Sequence, residues 1–282
     1  MLSIGKISIA VAGWLAVAIV GGCATGDVTQ LETRPGVTVR VDTFIPETST
    51  ASVLILRGRF GNITDYKYYP LTTVSTFNRA DIAVAVMDAP SNRKGLSRGG
   101  PVNRSMLRLA DRSSNGHKAD LKKTIALLKR KSGKPVWVVG VSMGSVSAAV
   151  AGILGGPDLA GVILISSVTA INKDAYSSDN PIARAILTRP SIDKTVLELA
   201  LEKIVAPTLV VRHEKDQCTG SDPAGGPKIM ARLTNAPKTE MLTYSGGYQT
   251  GDVCGTTAYH LFAGIDTEVT DAVIKFIKAN SK

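Results

Sequence analysis

Six short β-rich runs, the strand candidates, limit how this chain can fold more than any other feature. They lie at residues 37–45, 52–56, 82–87, 136–139, 161–165 and 208–212. Several lack polar–apolar alternation, as strands buried on both faces do. Helical patterns stand between them: residues 119–129 place Leu121, Ile125 and Leu128 on one face, and Val269, Val273, Phe276 and Ile277 repeat that spacing near the C-terminus. Strands alternating with helices predict a mostly parallel central sheet flanked by helices. No internal repeat is visible. The chain is 282 residues long, 44% hydrophobic and 20% charged, which suits one large domain with a sizeable core.

The first segment reads differently. An apolar run at residues 7–20 follows Lys6 and precedes Gly21 and Gly22, the layout of a secretory signal peptide over residues 1–22. At about 14 residues it falls short of the roughly 20 that span a bilayer as a helix. Val20, Gly21, Gly22 and Cys23 resemble a bacterial lipobox, in which the cysteine becomes a lipid-modified N-terminus. Plain cleavage near Gly22 or Ala24, with Cys23 idle, is the alternative. Ala24 after Cys23 resembles the outer-membrane sorting pattern, so the expected location is the periplasm, on an outer-membrane lipid anchor. Polar, Gly/Pro-punctuated residues 23–36 read as a tether and residues 37–282 as the folded domain.

The formal charge is +10, and loss of residues 1–22 removes only Lys6, leaving +9. That balance favours anionic surfaces or substrates. Only 5% of residues are aromatic and no nucleic-acid-binding module is recognisable, so no nucleic-acid partner is expected. Three scattered histidines without a His-Glu-x-x-His motif supply no metal ligand set. No Gly-rich dinucleotide fingerprint follows an N-terminal strand. No cofactor or metal is expected.

Two matches to G-x-S-x-G occur. Gly95, Leu96, Ser97, Arg98 and Gly99 lie in a polar, Gly/Pro-rich stretch, inside one long loop expected at residues 91–116. Gly140, Val141, Ser142, Met143 and Gly144 directly follow a strand candidate and precede the small-residue segment 145–154, able to pack as a helix on the sheet. Glycines on both sides permit the cramped strand-to-helix turn that exposes a serine hydroxyl. Context selects Ser142 over Ser97.

A serine needs a neighbouring base before it becomes a useful nucleophile. The histidines are His117, which begins a helix before Ser142; His213, at a strand end; and His260, in loop 255–264 before the last helix. Asp216 follows the strand at 208–212, with Glu214 and Asp252 as rival carboxylates.

Taken in order, the Ser142 motif, Asp216 and His260 make residues 37–280 resemble a bacterial α/β-hydrolase. That resemblance implies an α/β-hydrolase fold with a small or minimal cap, placed at residues 172–204. It implies Ser142 as nucleophile, His260 as general base and Asp216 as the acid that orients it. It also implies an oxyanion hole from the backbone N–H of Met143 and of Arg59, or of Phe60. The loop reads Arg57, Gly58, Arg59, Phe60, Gly61 where many relatives carry His-Gly. The implied activity is hydrolysis of a small-molecule ester or other acyl substrate. Peptidase and acyltransferase activities use the same machinery, and a catalytically silent envelope binding protein would keep the fold without the chemistry.

Two further features surround these residues. Cys218 and Cys254, an even number in an oxidising compartment, read as a disulfide tying the acid loop to the histidine loop, or else as two buried thiols. Arg93, Lys94, Arg98, Arg104, Arg108 and Arg112 oppose a single acid, Asp111. With Arg57 and Arg59 they either attract an acidic substrate or an anionic lipid surface, or form a solvated face.

Overall fold

A computed structural model describes residues 26–58, 61, 63, 71–97, 100–105, 107–171 and 194–281, with backbone alone for 94–97 and 100–105. The signal peptide, Cys23, Arg59, Phe60 and most of the expected cap, 172–193, lie outside the described residues.

Every strand candidate forms a strand: β2 (Val37–Phe44), β3 (Ala51–Leu56), β4 (Ile82–Met87), β7 (Val136–Val141), β8 (Leu159–Ile165) and β9 (Thr208–His213). With β1 (Asp27–Arg34) and β10 (Thr239–Tyr244) they make one eight-stranded sheet in the order β1-β2-β4-β3-β7-β8-β9-β10. From β4 to β10 all neighbours are parallel, and β1 and β2 close one edge in antiparallel register. Alternate residues of each central strand face opposite ways, so each face of the sheet carries its own core. On one face Leu54, Val138 and Leu164 meet Leu121 of α2 (Asn115–Ser132), Val146 of α3 (Gly144–Leu154) and Ile229 of α4 (Gly225–Arg232). On the other, Val53, Trp137 and Ile163 meet Phe77 of α1 (Val74–Arg79) and Val273 and Phe276 of α5 (Asp266–Asn280).

Three expectations need correction. Residues 27–34, expected within the tether, pair along β2 from Asp27 opposite Thr43 to Arg34 opposite Val37. The folded domain therefore begins before residue 37. As an exposed edge strand β1 is mostly polar, and alternation around Leu31 and Thr33 is weak. Loop 91–116 contains a hairpin, β5 (Lys94–Ser97) with β6 (Gly100–Ser105), then a 3-10 turn at Ala110–Ser113 and the start of α2. The end of the expected cap packs into the core: Val196, Leu201 and Ile204 are fully buried around two 3-10 turns, Val196–Glu198 and Leu201–Lys203.

The chain leaves β3 toward β4 on one side and reaches β7 on the other. The C-terminal ends of adjacent β3 and β7 thus flank a topological switch point, the crevice where open α/β sheets bind ligands.

Candidate active site

Ser142 stands at that switch point, between the last residue of β7 and the first turn of α3, with φ 54°. A non-glycine residue in the left-handed region is uncommon and marks a turn held by its surroundings. Those surroundings explain both flanking glycines. A Cβ on Gly144 would stand 1.9 Å from the Leu56 carbonyl oxygen, and one on Gly140 would stand 2.3 Å from the Gly144 carbonyl oxygen. Strand β3, strand β7 and helix α3 meet too closely there for any side chain. The Ser142 N–H donates to Ile165 O at the end of β8 (2.9 Å), and the side chain is half-buried.

Strand β8 also holds His260. The next residue, Ser166, has φ 45° and donates its hydroxyl to the His260 carbonyl oxygen (2.6 Å). His260 lies in the 3-10 turn Tyr259–Leu261, 1% exposed, and its Nδ1 meets Asp216 Oδ2 at 2.8 Å. The other Asp216 oxygen accepts the Cys218 N–H (2.9 Å). A proton on Nδ1 donated to this carboxylate leaves the lone pair on Nε2, which is buried and has no hydrogen-bond partner among the described residues. Serine and imidazole are therefore fixed to consecutive residues of one strand end. No hydrogen bond joins Ser142 Oγ to Nε2 here, a contact that in unliganded hydrolases often tightens only with substrate bound.

The rival acids point elsewhere. Glu214 is exposed, and exposed Asp252 accepts the Cys254 N–H within its own loop. The Cys218–Cys254 disulfide is present and joins the loop of Asp216 to the loop preceding His260. Ser97 lies in the β5–β6 hairpin, remote in kind from a strand-to-helix turn.

The other histidines are structural. His213 is fully buried, stacks on Tyr259 with ring centroids 4.6 Å apart, and its Nε2 lies 2.7 Å from Gly246 O. His117 accepts the helix-capping geometry of α2, where its N–H donates to Ser114 Oγ, and its Nε2 lies 2.9 Å from Ser147 Oγ on α3. Burial first, then the nearby Arg112 and Arg34 charges, lower its pKa from 6.5 to about 3, so it stays neutral.

The loop after β3 closes against the serine. Gly61 N donates to Gly58 O (2.9 Å). A Cβ on Gly58 would come within 2.9 Å of Ser142 Cβ, so glycine there lets the backbone after β3 approach the serine. Nearby a small cavity is lined by Leu56, Arg57, Gly61, Asp88, Arg112 and His117. Burial raises the Asp88 pKa, opposed by hydrogen bonds from the Ala89 and Ile63 N–H groups. Arg57 and Arg112 are buried and Arg93 pairs with Asp111 at 3.1 Å, so these three do not form the open basic face considered from sequence. Arg108 is exposed. Among the described residues no group of three or more His, Cys, Asp or Glu is placed to hold a metal ion.

No protein-family model and no curated protein sequence matches the chain. Solved structures do. The chain is similar to the Pyrococcus furiosus esterase Pf2001, with TM-score 0.63 and 15% identity over 98% of this chain and 97% of that one. It is similar to a Mycobacterium tuberculosis puromycin-hydrolyzing peptidase, with TM-score 0.65 and 16% identity over 96% of this chain and 42% of that one. Est1E from Butyrivibrio proteoclasticus, solved with ferulic acid bound, matches at TM-score 0.58 and 13% identity over 87% of this chain and 96% of that one. At such identities the likeness speaks to architecture: the chain has the α/β-hydrolase fold.

Proposed function

We propose that the protein is a serine hydrolase acting on carboxylic esters, with Ser142 as nucleophile, His260 as general base and Asp216 as orienting acid. The observation that carries this reading is the shared strand end: Ile165 holds the Ser142 backbone, Ser166 holds the His260 backbone, and His260 Nδ1 meets Asp216.

The chemistry follows from those positions. As Ser142 Oγ attacks the ester carbonyl, its proton passes to His260 Nε2, and Asp216 stabilises the imidazolium. Charge developing on the carbonyl oxygen is met by the Met143 N–H at the start of α3 and by the backbone N–H of Arg59, or of Phe60. The imidazolium returns its proton to the departing alcohol. Water deprotonated by His260 then cleaves the acyl-enzyme. The similar solved chains include an esterase, which supports an ester over other acyl substrates, while the puromycin-hydrolyzing peptidase marks amides as the comparison to run beside it.

Asp216→Asn tests the assignment. It keeps a neutral partner at Nδ1 but favours the wrong tautomer, so kcat on short p-nitrophenyl esters should fall about 10⁴-fold with KM little changed. Undiminished kcat would remove Asp216 from the mechanism.

The reading extends to location: export by residues 1–22 and a lipid anchor on Cys23 that brings the protein into contact with the outer membrane from the periplasm. The Cys218–Cys254 disulfide supports an oxidising compartment. Among the described residues no helix is long and apolar enough to cross a membrane. The mass of the mature N-terminal peptide, compared with Cys23→Ala, decides whether Cys23 carries lipid.

A further inference from the structure

Helix α2 has a lopsided charge. Lys118, Lys122, Lys123, Lys129 and Arg130 occur within it, and Asp120 is its only acid. Asp120 is fully buried and already bound to Arg34 Nε at 2.9 Å and to Thr33 Oγ1 at 2.5 Å. At about 100° per residue Lys122, Lys123 and Arg130 fall within about 100° of one another, away from the buried stripe of Leu121, Ile125 and Leu128, with Lys118 and Lys129 at the margin beside Ile125. Lys122, Lys123 and Arg130 are exposed, and none of the five pairs with a carboxylate among the described residues. Cations in a last turn complement the helix dipole, which accounts for Lys129 and Arg130. That effect fades within one turn and leaves Lys122 and Lys123 unexplained.

The point where the chain enters the fold supplies a second observation. Strand β1 is antiparallel to β2, and β2 to β4, so β1 runs in the same direction as the parallel strands. Asp27, the first residue of β1, therefore lies at the end of the sheet where those strands begin. Lys131 pairs with Asp27, fixing this entry beside the last turn of α2. Cys23 is three residues before Gly26, a reach of at most about 11 Å.

We propose that the basic face of α2 is a docking surface for the anionic headgroups of a phospholipid bilayer. The proposal rests on the reading of Cys23 as lipid-anchored. An anchor that close keeps the basic face of α2 at the membrane surface, where such charges are felt over a Debye length of about 8 Å.

The test uses the full lipidated protein added to preformed vesicles, either rich in phosphatidylglycerol or of phosphatidylcholine alone. Lysines are labelled with a membrane-impermeant amine reagent and quantified singly by mass spectrometry. Lys122, Lys123 and Lys129 should be several-fold less labelled on phosphatidylglycerol, and recover in high salt. Exposed Lys275 and Lys278 on α5, across the sheet, should label alike on both vesicles. The triple variant Lys122→Glu, Lys123→Glu, Arg130→Glu should lose the difference while cleaving a soluble ester at the wild-type rate. Equal labelling of the α2 lysines on both vesicles, or protection of Lys275 and Lys278 instead, overturns the proposal. If the N-terminal peptide proves to carry no lipid, the anchor reading fails separately. Flotation with the same vesicles then decides: salt-sensitive binding lost in the triple variant sustains the docking surface, and absence of binding overturns it.

Discussion

Ser142 and its proposed acid–base partners, Asp216 and His260, reach the same strand end by different means. Ser142 is held from within: Gly140, Gly144 and Gly58 let three backbone segments close around it, and the strands beneath are fully buried. Asp216 and His260 are held from outside, by loops fastened through the Cys218 N–H, the Ser166 hydroxyl and one disulfide. The geometry of the proposed nucleophile is thus a property of the core, whereas that of the proposed base depends on cross-links between loops. Damage to the two should look different.

The largest effect is expected at Gly144. Gly144→Ala drives a Cβ into the Leu56 backbone, with no flexible side chain to yield. Stability should fall by about 3 kcal/mol, the upper range for overpacking, and esterase activity should be lost with it, as thermal unfolding and assay would show. A variant of wild-type stability and rate would break the contrast on the serine side.

Removing the disulfide attacks the other side. Closing a loop 36 residues apart in sequence is worth about 3–4 kcal/mol in the chain-entropy model, so Cys218→Ser with Cys254→Ser should lower Tm by roughly 10 °C. Activity should fall only in part, because Ser166 and the Cys218 N–H remain. Hydrogen exchange should speed up across residues 213–262 and stay unchanged across 136–165. Uniform loosening would show that the two arms are not held independently.

The last effect, silent at neutral pH, concerns His117, which supports α3 from behind. Its folded pKa of about 3 lies below the ordinary 6.5, so between these values the unfolded chain binds the extra proton. Stability from this group is complete above pH 6.5 and is lost as pH falls toward 3. His117→Gln should flatten that part of the stability–pH curve, measured by urea unfolding at a series of pH values. An unchanged slope would mean that His117 is not the group titrating.

The same contrast explains what could be read from sequence. Buried central strands appear as short runs with little alternation, and all six strand candidates are strands. The edges are half-exposed and were not legible: β1 reads as polar tether, and β10, Thr239–Tyr244, has no fully buried residue. Helix α4 opens with Gly225, Gly226 and Pro227, residues that read as a turn, and α1 is only six residues long. At the site, Ser142, Asp216 and His260 stand out because chemistry and chain order mark them. The Ser166 anchor does not, since a serine ending a strand carries no local signal until its hydroxyl is seen to meet the His260 carbonyl.

The central claim is an activated serine at residue 142. Labelling of the purified protein with a fluorophosphonate probe, beside Ser142→Ala and Ser97→Ala, tests it most directly. The account predicts labelling of wild type and Ser97→Ala and none of Ser142→Ala. Absence of labelling in well-folded wild type, or labelling that survives in Ser142→Ala, would contradict it.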